Sequence, residues 1–361
     1  MKSPRKTLAA ALASAGVLIA LAGNASAQAT YTIAALAGGN CAPYSINDVS
    51  GVAGTCDGNA VVWVGGVAKN LGRLTGGTYA NASYMNSLGV AVGDSDTGNG
   101  RPQSWVSTPA GLYNIFPNNG GNTHALFIGE NGYIGGYYTK SLSGGTSSWH
   151  GAIWVRDPKD PSKYRETDLP FLPGGINTKY TGSVPMAFNQ LGQAAGYASN
   201  DQIGQHAVFW KNDAAHSVVD LGVFGSDWSS LGWGMNDLGQ VVGESHPPYA
   251  NRAILWNNDA AHTAIELPLL AGDNWGAAHM INNLGQVIGT SAYVTPGTMS
   301  GTASRYVIWR DGGVFDLQAL LDPVTGAGWT IDYVAGINNL GQIVGIGTQN
   351  GASAVFVMTP Q

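Results

Sequence analysis

Beyond one apolar run near its amino terminus, the 361-residue chain carries its apolar residues in short runs rich in Val, Ile and Trp. Gly, Asn and Asp interrupt these runs, and no long stretch has apolar residues at the 3.6-residue spacing of an amphipathic helix. Short β-branched and aromatic runs bounded by turn residues are typical of strands. The pattern therefore predicts an all-β protein.

One nine-residue segment recurs seven times, with MNDLGQVVG and INNLGQVIG among its clearest copies. Each copy has apolar residues on both sides of a short polar turn, the arrangement expected for two antiparallel strands, here labelled A and B. The closing glycines are separated by 39, 43, 60, 47, 46 and 56 residues. They are Gly54, Gly93, Gly136, Gly196, Gly243, Gly289 and Gly345.

A second apolar segment follows each of these copies and predicts a strand C, which in six copies ends in a tryptophan. A fourth strand, D, follows in six of the seven copies. The seventh strand D is predicted at the start of the mature chain, because residues 31–39 align position by position with residues 69–77. The six tryptophans, which we expect to pack between neighbouring units, are Trp63, Trp105, Trp154, Trp210, Trp256 and Trp309.

Four strands in about 40–50 residues are the size of one blade of a β-propeller. A chain that begins with strand D and ends with strand C can pair its two ends in one blade and leave no long unpaired sheet edge. The sequence therefore predicts one domain, residues 28–361, that forms a seven-bladed β-propeller. We expect residues 30–36 to pair with residues 354–357 in the last blade.

The repeats resemble those of the HAF family of bacterial extracellular repeat proteins. The family is named for a His-Ala-Phe element, which His206-Ala207-Val208-Phe209-Trp210 matches here. The resemblance covers nearly all of residues 31–357 and supports the repeat assignment. It implies no particular reaction, because the family is defined by its sequence.

The amino terminus predicts secretion, to the periplasm or the extracellular space. Lys2, Arg5 and Lys6 precede an apolar run, and Ala25-Ser26-Ala27 offers a cleavage site, so residues 1–27 have the pattern of a signal peptide. Cleavage leaves 13 basic and 22 acidic residues, a net charge of −9. This charge argues against nucleic acid and anionic membranes as partners, and we expect a monomer.

The two cysteines, Cys41 and Cys56, are expected to form a disulfide in an exported protein. A four-residue turn at residues 47–50 would pair Ile46 with Gly51. The same register places Cys41 opposite Cys56, and directly opposed residues satisfy disulfide geometry.

Five of the predicted C strands carry Arg or His four residues before the end of the strand. This ring could grip an anion, but strand D offers each of these residues a polar partner on the same face of its own blade. We therefore expect structural pairs within the blades. The pairs are Arg101 with Asn114, His150 with Asp168, His206 with Asp220, Arg252 with Glu266, and Arg305 with Asp316.

Up-and-down blades place the D–A and B–C connections on one face, here called the loop face, and the A–B and C–D turns on the other, the turn face. The loop-face connections vary in length and are rich in aromatic residues, whereas the A–B turns are repetitive. Binding residues concentrate on variable loops held by a rigid scaffold, so we expect a concave site near the axis on the loop face. Its candidate residues are His124, Trp228, Trp233, Trp275, His279, Trp329 and Tyr333, and Tyr180 lies in the same set of loops.

Catalytic motifs are scarce: the chain has no G-x-S-x-G, no H-E-x-x-H and no cysteine pair at metal-binding spacing. We expect no cofactor and no metal. Acid–base chemistry by side chains on the loop face remains open, with Glu244, His246, Asp273 and Asp332 as candidate catalytic residues.

Three functions are compatible with these features. The first is a secreted, non-catalytic binding protein whose exposed aromatic rings stack on carbohydrate. The second is a secreted glycoside hydrolase or polysaccharide lyase, and the third is an extracellular protein-interaction scaffold. The aromatic loop face and the scarcity of catalytic motifs favour the first.

Overall fold

The computed structural model describes residues 30–98, 100–115, 121–141, 147–173, 182–200, 204–298 and 300–361. The predicted signal peptide and Tyr180 lie outside these residues. The described part of the chain forms 28 β-strands and one short 3-10 helix, Gln318–Leu320. It contains no helix long and apolar enough to cross a membrane.

The strands form seven four-stranded antiparallel sheets, and the structure is therefore the predicted seven-bladed β-propeller. Within each blade the strands lie in the order A, B, C, D. Blade 1 contains β2 (Cys41–Ile46), β3 (Val52–Cys56), β4 (Asn59–Val64) and β5 (Val67–Gly72), and blade 2 contains β6 (Ala80–Met85), β7 (Ala91–Asp96), β8 (Pro102–Thr108) and β9 (Gly111–Asn114). Blade 3 contains β10 (Thr123–Ile128), β11 (Ile134–Ser141), β12 (Ser147–Asp157) and β13 (Asp160–Asp168), and blade 4 contains β14 (Gly182–Phe188), β15 (Ala194–Asn200), β16 (Gly204–Trp210) and β17 (Val218–Gly222). Blade 5 contains β18 (Ser229–Met235), β19 (Val241–His246), β20 (Arg252–Trp256) and β21 (Ala264–Glu266), and blade 6 contains β22 (Trp275–Ile281), β23 (Val287–Ala292), β24 (Arg305–Arg310) and β25 (Gly313–Asp316). Blade 7 contains β26 (Trp329–Ile337), β27 (Ile343–Gln349), β28 (Ala352–Pro360) and β1 (Tyr31–Ala35).

The two ends of the chain meet in blade 7, as predicted. Strand β1 pairs in antiparallel fashion with β28, so that Tyr31 lies opposite Pro360 and Ala35 opposite Phe356. Strand β1 thereby covers the outer edge of the last blade. This pairing closes the ring by backbone hydrogen bonds.

Each interface between blades has its own apolar cluster, and the strand C tryptophans fill most of them. Trp105 of blade 2, for example, packs on Ala53 and Val62 of blade 1. Trp63 packs on Val344 and Val355 of blade 7, across the closure of the ring. All six of these tryptophans are at least 96% buried, so burial of indole area is a main source of cohesion between blades.

The disulfide joins Cys41 and Cys56, with their Cα atoms 4.0 Å apart. The predicted register of its hairpin is wrong near the turn, because Ile46 lies opposite Val52 and not Gly51. A β-bulge at Tyr44 inserts one extra residue in strand A, and this restores the register that places Cys41 opposite Cys56.

Buried asparagines at the start of six A–B turns link each blade to the next. In each case the side-chain amide donates to a backbone carbonyl of the following A–B turn, at 2.9–3.2 Å. Blade 3 has Gly129 at this position, and there the hydroxyl of Tyr133 donates to the carbonyl of Asn189. The chain of hydrogen bonds thus passes through all seven interfaces. The six asparagines are Asn47, Asn86, Asn189, Asn236, Asn282 and Asn338.

Candidate ligand-binding site

Every innermost strand, A, contains a β-bulge at the same distance from its turn. The extra residue stands three positions before the first residue of the A–B turn, and a bulge re-aims such a side chain relative to the regular alternation of the strand. Blade 7 has a second bulge, at Asp332. The seven residues at the shared position are Tyr44, Ser83, Leu126, Met186, Trp233, His279 and Ala335.

These seven residues line both of the two cavities that lie along the propeller axis. The smaller cavity, of about 280 Å³, continues to the A–B turns. The larger, of about 980 Å³, opens on the loop face and is called here the axial cavity. Its volume lies at the upper end of the range for small-ligand sites. The bulged residues therefore form the floor that the two cavities share.

Ring side chains dominate the wall of the axial cavity. The hydroxyls of Tyr44 and Tyr79 lie 3.2 Å apart, and the ring of Tyr306 meets that of Tyr333 edge to face. Tyr44, Tyr79 and Tyr333 are each at least 40% exposed, so their faces are open to a ligand. The eight ring-bearing residues of the wall are Tyr44, Tyr79, His124, Tyr137, Trp233, His279, Tyr306 and Tyr333.

The buried carboxylate of Glu244 orients the Trp233 indole by a hydrogen bond. The indole N–H donates to Glu244 Oε1 at 3.0 Å, and the side-chain amide of Asn251 donates to Oε2 at 2.8 Å. His246 Nε2 lies 3.4 Å from Oε1. Burial raises the pKa of the Glu244 carboxyl, but the hydrogen bonds of His246 and Trp233 outweigh that effect and lower the pKa overall. Glu244 is therefore an ionised acceptor that fixes the indole plane.

His124 is held by the corresponding residue of another blade. Asp94 follows a closing glycine as Glu244 does, and its Oδ2 lies 2.8 Å from His124 Nδ1 across the interface between blades 2 and 3. The backbone N–H of Ala125 donates to the other oxygen at 3.0 Å. Burial raises the pKa of the Asp94 carboxyl, and the contact with His124 opposes the rise. The imidazole also lies against the ring of Tyr137, with centroids 4.7 Å apart.

A second carboxylate, Asp96, lies two residues further along β7 and also lines the axial cavity. The backbone N–H groups of Thr78 and Tyr79 donate to its Oδ1 at 2.6 and 2.8 Å. The Tyr79 bond leads the contacts that lower the pKa of Asp96, so this carboxyl is ionised at neutral pH.

Four of the seven residues predicted to bind ligand lie in the wall of the axial cavity: His124, Trp233, His279 and Tyr333. The other three lie elsewhere. Trp329 is 4% exposed and packs edge to face on Phe356 in the core of blade 7. Trp228 is 71% exposed, and Trp275 begins β22, opposite Ala292; neither contributes to the cavity wall.

The four candidate catalytic residues do not line the axial cavity, and each contacts protein groups. Glu244 and His246 belong to the network behind Trp233, where His246 Nδ1 also lies 2.8 Å from the Ser229 hydroxyl. Asp273 accepts hydrogen bonds from Ser291 at 2.6 Å and from Arg305 at 2.8 Å, and Asp332 accepts one from Thr348 at 2.7 Å.

The predicted pairs within blades are present in three cases. His206 Nδ1 lies 2.9 Å from Asp220, Arg252 Nη1 lies 2.9 Å from Glu266, and Arg305 Nη1 lies 3.7 Å from Asp316. The prediction for His150 is wrong in its hydrogen-bond partner, because Nε2 contacts the Ser148 hydroxyl at 2.8 Å while Asp168 accepts from the Tyr138 hydroxyl.

The sequence interpretation missed two rings of the cavity wall, Tyr44 and Tyr306, and it missed the bulge. A signal for the bulge exists: the position three before each A–B turn holds Tyr, Ser, Leu, Met, Trp, His and Ala in turn, although the turn beside it is repetitive. When the residue type varies at one position of an otherwise repetitive segment, the fold does not require a particular side chain there, and that side chain can serve binding.

No family model matches this sequence, and the search of curated proteins finds no match; membership of the HAF family stays a prediction. The β-propeller domain of the Trilobed protease from Pyrococcus furiosus is 10% identical, with a TM-score of 0.49 over 92% of this chain and 97% of that one. The acylaminoacyl peptidase of Pyrococcus horikoshii is 12% identical, with a TM-score of 0.48 over 91% of this chain and 52% of that one. A mutant of Aleuria aurantia lectin in complex with alpha-methyl-L-fucoside is 14% identical, with a TM-score of 0.34 over 80% of this chain and 96% of that one. At these values the similarities carry no statement of function.

Proposed function

We propose that this protein is a secreted binding protein that holds a carbohydrate in the axial cavity without transforming it. The observation that carries the proposal is the wall of eight ring side chains around a cavity of about 980 Å³ that opens on the loop face. Aromatic faces stack well on the flat apolar faces of sugar rings, while Asn81, Thr78 and Ser83 supply polar groups among them.

Contacts within the protein fix the orientations of two wall rings without a ligand, and this preorganisation supports binding as the function. Trp233 is tied to Glu244 and lies edge to face against Tyr197, and His124 is tied to Asp94. A preorganised wall loses less side-chain entropy on binding. Secretion is supported by the predicted signal peptide and by the Cys41–Cys56 disulfide, since such bonds persist in oxidising compartments.

The enzymatic alternative has less support. The candidate catalytic carboxylates, Glu244, Asp273 and Asp332, are engaged by protein donors and do not line the cavity wall. A general acid or base must reach the substrate atom that it protonates or deprotonates.

The experiment is a screen of the purified mature protein against plant and bacterial polysaccharides, scoring retention and product release together. We expect retention on at least one polysaccharide and no release of product. Trp233→Ala should abolish retention, whereas Trp228→Ala should not, because Trp228 is an exposed tryptophan of the same face outside the cavity. Product release would favour the enzymatic alternative, and absence of retention on every polysaccharide would contradict the proposal.

One observation favours the scaffold alternative. Six A–B turns expose an aliphatic side chain at the same position, and an apolar ring of this kind is unusual on a monomer. A variant with Leu191→Ser, Leu238→Ser and Leu284→Ser tests it by analytical ultracentrifugation, because loss of a wild-type self-association would assign this face to protein contacts. The six side chains are Val49, Leu88, Leu191, Leu238, Leu284 and Leu340.

A further inference from the structure

The wall of the axial cavity has an unbalanced charge. Among the described residues that line it are two carboxyl groups, those of Asp94 and Asp96, and no lysine or arginine. Arg101 lies between Gly100 and Pro102, which do line the cavity, but its side chain is not part of the wall. His279 also lies in the wall, and burial lowers its pKa, so it is neutral at physiological pH.

The two carboxyl groups face the same side of β7, because alternate residues of a strand point to the same face. Asp94 is buried, and its Oδ2 lies 2.8 Å from His124 Nδ1. Asp96 is partly exposed at the rim, and only Oδ1 receives backbone donors. Among the described residues, Oδ2 accepts one hydrogen bond, from the Thr78 hydroxyl at 2.9 Å. A carboxylate oxygen has two lone pairs, so Oδ2 can accept a further donor from a ligand.

The faces of tyrosine and tryptophan rings beside an ionised carboxylate form a suitable binding site for an ammonium group. The electron-rich face of an aromatic ring attracts a cation within about 6 Å of its centroid. Tyr79 is both a wall residue and a backbone donor to Asp96, so an exposed ring stands next to the charge. An anionic ligand meets neither a lysine nor an arginine in the described wall, and the mature chain repels it at long range.

We propose that the axial cavity selects a polyhydroxylated ligand that carries a protonated amine, an amino sugar such as a glucosamine oligomer, over neutral sugars and uronates. This inference rests on the proposed function, because it names the class of sugar that the same cavity takes. The sugar rings stack on the aromatic wall, and an ammonium group donates to Asp96 Oδ2.

The experiment compares two oligosaccharides of equal length by isothermal titration calorimetry, a glucosamine tetramer and an N-acetylglucosamine tetramer. They share a sugar backbone, and the nitrogen on each ring is a protonated amine in the first and a neutral acetamide in the second. We expect the glucosamine tetramer to bind roughly tenfold more tightly. The advantage should shrink at high salt, because screening weakens charge pairs near the surface.

Two variants and a control locate the effect. Asp96→Asn should remove most of the advantage of the glucosamine tetramer while leaving affinity for the N-acetyl tetramer unchanged, and Asp94→Asn reports whether the deeper carboxyl contributes. Asp311→Asn removes the same charge from an exposed C–D turn on the opposite face, where asparagine tolerates the left-handed backbone, φ 51°. It should leave both affinities unchanged.

The outcomes separate this inference from the proposed function. Equal affinity for the two tetramers overturns the selection for amines and leaves sugar binding standing. Binding of neither tetramer, together with no retention on any polysaccharide, overturns both. Glucosamine binding that Trp233→Ala leaves intact, and that Asp96→Asn and Asp311→Asn weaken equally, overturns the inference in favour of adhesion to the net negative charge.

Discussion

The indole N–H of Trp233 donates to Glu244 Oε1 at 3.0 Å, between neighbouring strands of blade 5. Trp233 occupies the bulge of its strand, which turns the indole toward the axis, and Glu244 is the buried carboxylate that meets it there. Trp233 is the only tryptophan among the described residues of the cavity wall. This hydrogen bond, together with the edge-to-face contact with Tyr197, therefore orients the largest ring in the cavity.

Glu244→Ala should weaken ligand retention by roughly tenfold, because losing a charge-assisted hydrogen bond frees the indole. Near-ultraviolet circular dichroism should report the freed ring without any ligand. Glu244→Gln should restore both signals, since its carbonyl oxygen still accepts from the indole. If Glu244→Ala lowered the melting temperature but left retention and the dichroism unchanged, Glu244 would be a structural residue only.

Trp275→Ala should leave retention unchanged, although the sequence places Trp275 among the ligand-binding candidates. The structure puts this residue outside the described wall of the axial cavity. The measurement is the retention assay used for Trp233→Ala. A loss of retention as large as that of Trp233→Ala would show that the ligand extends beyond the axial cavity toward blade 6.

Asn338→Ala should lower the free energy of unfolding by about 2–4 kcal/mol. Its side chain donates to the Asn47 carbonyl across the ring closure and accepts from the N–H groups of Leu340 and Gln342. Removing it leaves these groups buried without their partner. Chemical denaturation measures the effect, and Leu340→Ala, at an exposed position of the same turn, should change it by less than about 0.5 kcal/mol.

Reduction of the Cys41–Cys56 disulfide should destabilise the protein by about 3 kcal/mol in the chain-entropy model for a span of 15 residues. Denaturation with and without a reductant measures the difference. The variant with both cysteines replaced by serine should match the reduced wild type and show no response to reductant. A response in that variant would mean that the reductant acts elsewhere.

Stability should fall as the pH decreases below about 6.5, the ordinary pKa of histidine. Burial lowers the pKa of His279 in the folded protein, so the unfolded chain binds the proton more readily and acid favours unfolding. His279→Gln should flatten this part of the profile of melting temperature against pH. His216→Asn, in a C–D turn on the opposite face, should leave the profile unchanged.

The sequence by itself determined the number of blades, the closure of the ring and the disulfide. Each follows from local patterns: a turn motif that recurs seven times, a strand D displaced to the amino terminus, and two cysteines at opposed positions of one hairpin. Turn chemistry and alternation act over a few residues, so the sequence displays them directly.

Only the tertiary structure decided which side chains share the cavity. Trp329 and Trp233 both lie in strand A of their blades, yet one packs on Phe356 in the core while the other lines the axis. The difference comes from the bulges, each of which adds one residue to strand A and re-aims every side chain before it. It comes also from the ring closure, which places Tyr44 of blade 1 in one wall with Tyr306 and Tyr333, more than 250 residues away in the sequence. Neither a register shift of one residue nor a contact between distant blades produces a local sequence pattern. The residues of the site could therefore be identified only from the tertiary structure.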